Sequence, residues 1–168
     1  MATYVDALSS GAALRLIVNQ TSQNIASNYS VVSWSLAIIE GSASSFSNTA
    51  IGYNVKINGV TTSGSYTFDF RPSGTQTKTI DSGSSRVYHD ADGTKTITVS
   101  GYTASTGTTS GGPGTASGTL ALTRIPRGPN IEVDGVWSRS LAYAEIDGVW
   151  TQCLVHAEID GVWAMVGG

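Results

Sequence analysis

Three equally spaced pairs are the residues of this sequence most able to do chemistry: Glu132 with Trp137, Glu145 with Trp150, and Glu158 with Trp163, each pair flanking Asp-Gly. Exposed indoles stack on sugar rings or anchor protein interfaces, so these six residues are the candidate glycan or interface contacts. The competing reading is structural. Each tryptophan would pack on a neighbouring hairpin or a symmetry mate, because so short a segment has few other large apolar groups. The glutamates recur because the unit recurs, whereas two catalytic carboxylates need different environments to separate their pKa values. His89 and His156 are the only imidazoles, Cys153 is the only thiol, and no serine sits in a nucleophile elbow, so no catalytic residue and no enzyme activity are expected. Asp90-Ala91-Asp92-Gly93 begins like a calcium loop, yet Thr94, Lys95 and Thr96 occupy the next ligand positions and no bidentate glutamate follows. An acidic turn is the simpler reading; no metal and no cofactor are expected.

The elements that must position the tryptophans follow from the repeat itself. Asp134, Asp147 and Asp160 lie 13 residues apart, and each precedes a glycine between β-branched residues. Asp-Gly accepts the two positive φ angles of a type I′ turn, so the stretch predicts three consecutive hairpins. A two-residue turn sets Val133 against Val136 and Glu132 against Trp137, giving one aliphatic face and one face that pairs carboxylate with indole. The other repeats match it, with Ile146/Val149 and Ile159/Val162. A lone hairpin is marginal in water, so these faces need cover from another repeat, another chain, or both. Burying a Val or Ile contributes roughly 1.5 to 3 kcal/mol, against roughly 1.2 to 2 kcal/mol lost per ordered residue. A homo-oligomer, taken as a trimer from the three-fold repetition, with residues 131–168 at its contact, is therefore expected. Closure of the repeats on one another, or on their own chain, is the alternative.

Upstream, period-2 alternation dominates. Leu14, Leu16 and Val18 share a face, and so do Val32, Trp34, Leu36 and Ile38, which makes Trp34 a core residue. Gln20 to Asn28 reads as a connection, and so does Gly41 to Thr49. Ile51 to Ile57 enters an Asn58-Gly59 hairpin turn, and Ser65 to Phe70 places Tyr66, Phe68 and Phe70 inward. Thr75 to Ile80 reads as a polar strand with Lys78 suited to an edge, and Arg86 to His89 as a short one. Thr94 to Tyr102 follows an acidic-Gly corner of the kind that joins strands E and F in immunoglobulin-like domains. Gly107 to Gly118 reads as a loop and Thr119 to Arg124 as the closing strand. Regular short strands without helical periodicity predict an all-β chain: an immunoglobulin-like antiparallel β-sandwich over 1–124, a Pro/Gly linker over 125–130 and three β-hairpin repeats over 131–168.

Composition narrows the partners. Charged residues make up only 12 % and the net charge is −3, which leaves no basic surface for a phosphate backbone, so nucleic acid is not expected. A single cysteine rules out an intrachain disulfide, as suits a chain made in a reducing cytoplasm. Met1 to Leu8 has no basic region or sustained apolar run, and nothing later reaches membrane-span length, so neither export signal nor membrane partner is expected.

Together these residues resemble a known family. Leu14-x-Leu16-x-Val18, Trp34 in the next strand, Val55-x-Ile57-Asn58-Gly59, Val87-Tyr88-His89-x-x-Asp92-Gly93-Thr94-Lys95-Thr96 and Leu120-x-Leu122-x-x-Ile125-Pro126-Arg127 resemble a domain of tail and baseplate proteins of siphoviruses that infect Gram-positive bacteria. The DGxW units are similar to C-terminal hairpin repeats of minor tail proteins from actinobacterial phages. The resemblance implies a virion structural protein, at the tail or tail tip, that contributes to assembly or host attachment, with other virion proteins as partners and no catalytic residues. A capsid decoration protein is the runner-up. A cell-wall carbohydrate-binding module using Trp137, Trp150 and Trp163 on host-surface glycan is the alternative from another class.

Overall fold

The computed structural model of the chain describes residues 1–8, 12–40, 47–69, 76–104, 113–126, 130–133, 136–139, 143–152, 156–159 and 162–165, the last third mainly as backbone. Every regular element among them is a β-strand, and every pairing is antiparallel.

The strands β1 (Ala2–Ala7), β2 (Ala12–Asn24), β3 (Tyr29–Glu40) and β6 (Gln76–Tyr88) form one sheet in that order. The second sheet runs β5 (Val60–Asp69), β4 (Ser47–Ile57), β7 (Thr96–Thr103) and β8 (Gly114–Ala121). With β2 to β8 lettered A to G, the sheets read A-B-E and D-C-F-G, with β1 added outside A. This is the immunoglobulin-like Greek key with its D strand moved onto the C-F-G sheet. The sequence expectation of such a sandwich is met.

The core lies between the sheets where the alternation places it. Leu14, Leu16 and Val18 from β2 and Val32, Leu36 and Ile38 from β3 are fully buried, around Trp34 at 6 % exposure. The opposite sheet supplies Val55, Ile57, Tyr66, Phe68, Ile97 and Val99. Phe70 lies outside the described residues. The Asn58-Gly59 turn takes the two positive φ angles, 48° and 87°, that a type I′ hairpin demands.

Several boundaries differ from the sequence reading, each for a physical reason. The polar run from Gln20 to Asn24 belongs to β2, which continues past a bulge between Gln20 and Ser22. Gln20 is held there by two hydrogen bonds that its hydropathy does not reveal. The two short strands expected at Thr75 to Ile80 and Arg86 to His89 are one edge strand, β6, bulged opposite the Leu36/Ala37 step. Its Asp81-Ser82-Gly83-Ser84 segment looks like a turn. The glycine serves packing instead, since a Cβ at position 83 would stand 2.8 Å from Cζ2 of Trp34. Lys78 does lie on this edge strand and donates to the backbone carbonyl of Thr67 across the sandwich.

Strand β4 begins at Ser47, earlier than expected, with a bulge between Asn48 and Ile51, and β5 is continuous from Val60. Strand β8 starts at Gly114, inside the expected loop. Gly114 and Gly118 are small because Leu8 and the Tyr4 ring rest on them. Tyr4 belongs to β1, a strand the alternation alone did not suggest, and Leu8 follows directly after it. The Tyr4 hydroxyl donates to the Thr119 carbonyl at 2.6 Å and the Thr115 N–H donates to Asp6 Oδ2 at 2.7 Å, so β1 closes one flank of the sandwich. Ile125, the first residue of the expected linker, is fully buried, and its N–H donates to the Gly93 carbonyl at 2.9 Å.

In the last third, β9 (Asn130–Val133) pairs with β10 (Val136–Arg139), β11 (Tyr143–Ile146) with β12 (Val149–Gln152), and β13 (His156–Ile159) with β14 (Val162–Met165). Each pair is a separate two-stranded sheet.

Candidate functional site

Backbone register places each glutamate directly opposite its tryptophan: Glu132 with Trp137, Glu145 with Trp150 and Glu158 with Trp163. The central turn is described in full, and Asp147 and Gly148 take φ values of 53° and 78°. Glu145 is exposed there, and Val149 on the aliphatic face is 64 % exposed. The side chains of Trp137, Trp150, Trp163, Glu132 and Glu158, together with Cys153 and the turns at Asp134 and Asp160, lie outside the described residues. The candidate contacts thus share one backbone arrangement repeated three times.

The structure also assembles a group that the sequence did not announce. At the corner joining β6 to β7, His89 is buried between Ser30 of β3 and the backbone of Gly93. Nδ1 lies 2.7 Å from the Gly93 carbonyl, which can only accept, so Nδ1 carries the proton. In the neutral ring Nε2 then accepts from the Ser30 hydroxyl, 2.6 Å away. Ser30 Oγ in turn accepts from Gln20 Nε2 at 2.8 Å, and Gln20 Oε1 accepts from the Thr123 N–H at 2.7 Å. The chain links β2, β3, the corner and the segment after β8. A serine hydroxyl on a histidine Nε2 is half of a hydrolase constellation, but here a carbonyl replaces the orienting carboxylate and Ser30 has no exposed surface. No substrate carbonyl can reach Oγ. The arrangement ties the two sheets together at one end.

Around this knot the corner is pinned from outside. Asn28, at φ 55°, donates from Nδ2 to the carbonyls of His89 and Asp90, and its own carbonyl accepts the His89 N–H. Asp92 accepts from both the N–H and the hydroxyl of Thr94, at 2.9 Å and 2.7 Å. The Thr94 backbone bond, followed by its hydroxyl, holds the Asp92 carboxyl below its ordinary pKa. Lys95 pairs with Asp90 at 2.9 Å. The acidic residues of the supposed calcium loop are therefore engaged by protein donors, and among the described residues no group of three His, Cys, Asp or Glu side chains could hold a metal. The one signal for this knot was parity. Ser30 falls on the inward side of β3, in step with Val32 and Trp34, and a polar residue at a core position needs a partner.

A family model described as "Siphovirus protein of unknown function (DUF859)" matches residues 1–142. The chain belongs to this siphovirus family. The match covers the whole sandwich, runs through the segment after Ile125 and includes the first repeat. No curated protein and no solved structure matches this siphovirus protein.

Proposed function

We propose that this siphovirus protein is a structural component of the virion, placed at the tail or tail tip. The sandwich serves as a platform and residues 131–168 make the contacts, with further copies of the chain, with other virion proteins or with the host surface. What carries the reading is that the family match continues from the sandwich into the first repeat, which treats platform and repeat as one viral unit. A binding role also suits the central hairpin, which leaves Val149 uncovered on a two-stranded sheet too small to bury it. Immunogold electron microscopy of phage particles with an antibody to the sandwich tests the placement. Label at the tail tip is expected, and label confined to the head would make the protein a capsid decoration.

The repeats are proposed to hold a homo-oligomer, taken as a trimer. Sedimentation equilibrium of the full chain at micromolar concentration tests this, and a monomer would overturn it. Host-surface glycan remains a candidate ligand for Trp137, Trp150 and Trp163. Titration with purified cell-wall polysaccharide, followed by indole emission, decides that question: no change at saturation excludes it.

A further inference from the structure

Two tyrosines stand side by side where the polar knot meets the edge of the first sheet. Register sets Tyr29 of β3 directly opposite Tyr88 of β6, and their rings meet edge to face, with centres 5.8 Å apart and planes at 67°. Tyr29 has two further partners: the Arg86 guanidinium lies 5.3 Å from its ring centre, and Asn24 Nδ2 donates to its hydroxyl at 3.5 Å. The backbone under both rings is clamped by their chain neighbours. The His89 N–H donates to the Asn28 carbonyl at 2.9 Å, and Asn28 Nδ2 donates to the His89 carbonyl at 2.8 Å. The knot therefore fixes an aromatic pair. Tyr88 is 61 % exposed, the one aromatic among the described residues presented so fully.

Next to the rings the surface is polar, cationic and short of acids. Arg86 is exposed, and a guanidinium stacked on a ring keeps its in-plane N–H donors for other acceptors. Among the described residues no carboxylate turns outward on this sheet: Asp81 accepts from the Tyr53 hydroxyl at 2.7 Å on the inner side, and Asp90 at the corner is paired with Lys95. Beyond Arg86 on the outward side come Ser84 and Ser82, both exposed and lying opposite Ser33 and Ser35 of β3. The face steps down from two rings and a guanidinium to a floor of hydroxyls, which both donate and accept. From Tyr88 to Ser82 it runs about 20 Å along the strand.

We propose that this face binds an acidic polysaccharide. One sugar ring stacks on Tyr88, its carboxylate or phosphate takes the free donors of Arg86, and hydroxyls of the next units meet Ser84 and Ser82. Three features favour a glycan over an acidic peptide. An unpaired guanidinium on a face without outward carboxylates complements an anion. An exposed ring already locked in place offers a stacking platform at little entropic cost. The rows from Tyr88 to Ser82 hold no exposed aliphatic side chain with which to build the apolar core of a protein interface. The site is separate from Trp137, Trp150 and Trp163 and does not depend on where the protein sits in the virion.

Affinity electrophoresis of the full chain tests this, in gels containing polygalacturonate, dextran phosphate, neutral dextran or polyglutamate. Retardation by at least one of the two acidic polysaccharides is expected, with none by dextran or polyglutamate; which of the two acts tells carboxylate from phosphate. Tyr88→Ala and Arg86→Gln each change an exposed side chain on an edge strand, so the urea midpoint should stay near that of wild type while affinity falls at least fivefold. Arg86→Lys, which keeps the charge and loses the planar fork, should fall between. The triple change Trp137→Ala, Trp150→Ala and Trp163→Ala should leave retardation unchanged. The proposal is overturned by wild-type affinity in both single variants, by no retardation of the wild-type chain in either acidic polysaccharide, or by equal retardation in polyglutamate. Loss of binding in the triple variant with full binding in Tyr88→Ala would also overturn it, and return the glycan to the repeats.

Discussion

Replacing Ser30 by Ala removes one hydroxyl and tests the polar knot directly. The side chain is fully buried, and its oxygen both donates to His89 Nε2 and accepts from Gln20 Nε2. Alanine fits the space, so no clash enters. What remains is a buried imidazole nitrogen without a partner, which costs about 1 to 3 kcal/mol. Gln20 is only half-buried and its amide can turn to water, adding little. The expected loss is about 2 kcal/mol, read as a lower urea midpoint with unchanged slope, and a drop in Tm of about 8 °C for a domain of this size. A double-mutant cycle sharpens the result. His89→Phe also forfeits the Ser30 bond, but Gly93 O still accepts the Ile125 N–H, so that carbonyl is not stranded. Once His89 is gone, Ser30→Ala should cost under 1 kcal/mol, giving a coupling of about 1 to 2 kcal/mol. A loss below about 0.5 kcal/mol in the single variant, or strictly additive effects, would refute the reading of this knot as a structural tie.

Other outcomes follow from the same geometry. Gly83→Val sets a branched side chain against the Trp34 indole and should cost at least 2 kcal/mol, with a change in indole emission on folding. Gly118→Val displaces the Tyr4 ring and with it the Thr119 bond, so hydrogen exchange should quicken in β1 while β3 stays protected. Asp92 has a folded pKa below its ordinary 3.8, so its contribution is present above that value and lost as pH falls through the folded one; the urea midpoint should decline from about pH 5 downward, and less so in Asp92→Asn. Burial raises the pKa of Tyr66 against the opposing bond to Thr103, and a hydrogen bond to Asp81 raises that of Tyr53. The unfolded chain ionises first, so stability should fall as pH climbs from about 10, with part of the tyrosinate absorbance appearing late.

Much of the sandwich is legible in period-2 alternation, because strands buried on one face must place their apolar residues alternately. That is why β3, the β4 and β5 hairpin and the inward residues of β7 can be read directly. The pattern fails where small or polar residues pack by shape or by hydrogen bonding. Gly83 and Gly118 look like turn residues, yet each makes room for a ring contributed by a distant strand. Gln20 looks like a loop residue but spends both ends of its amide within the fold, on the buried Ser30 hydroxyl and the Thr123 N–H. Strand β1 was invisible because its inward residues include Tyr4 and Asp6, whose partners lie 115 and 109 residues away. The knot on His89 joins positions 59 residues apart, which no local motif can report.

Those same separations set the order in which the molecule can form. Each repeat closes over two residues, a microsecond event, whereas flank closure by β1 must wait until Thr115 and Thr119 are in place, and such non-local pairing takes milliseconds to seconds. The repeats are therefore ready long before the sandwich is shut. In the interval β1, already joined to β2 as a local hairpin, has no β8 to close on, and Tyr4 and Leu8 stand uncovered. A β8 strand from a crowded neighbour fits that flank as well as the chain's own, so local concentration during synthesis governs whether copies mature separately or exchange this strand.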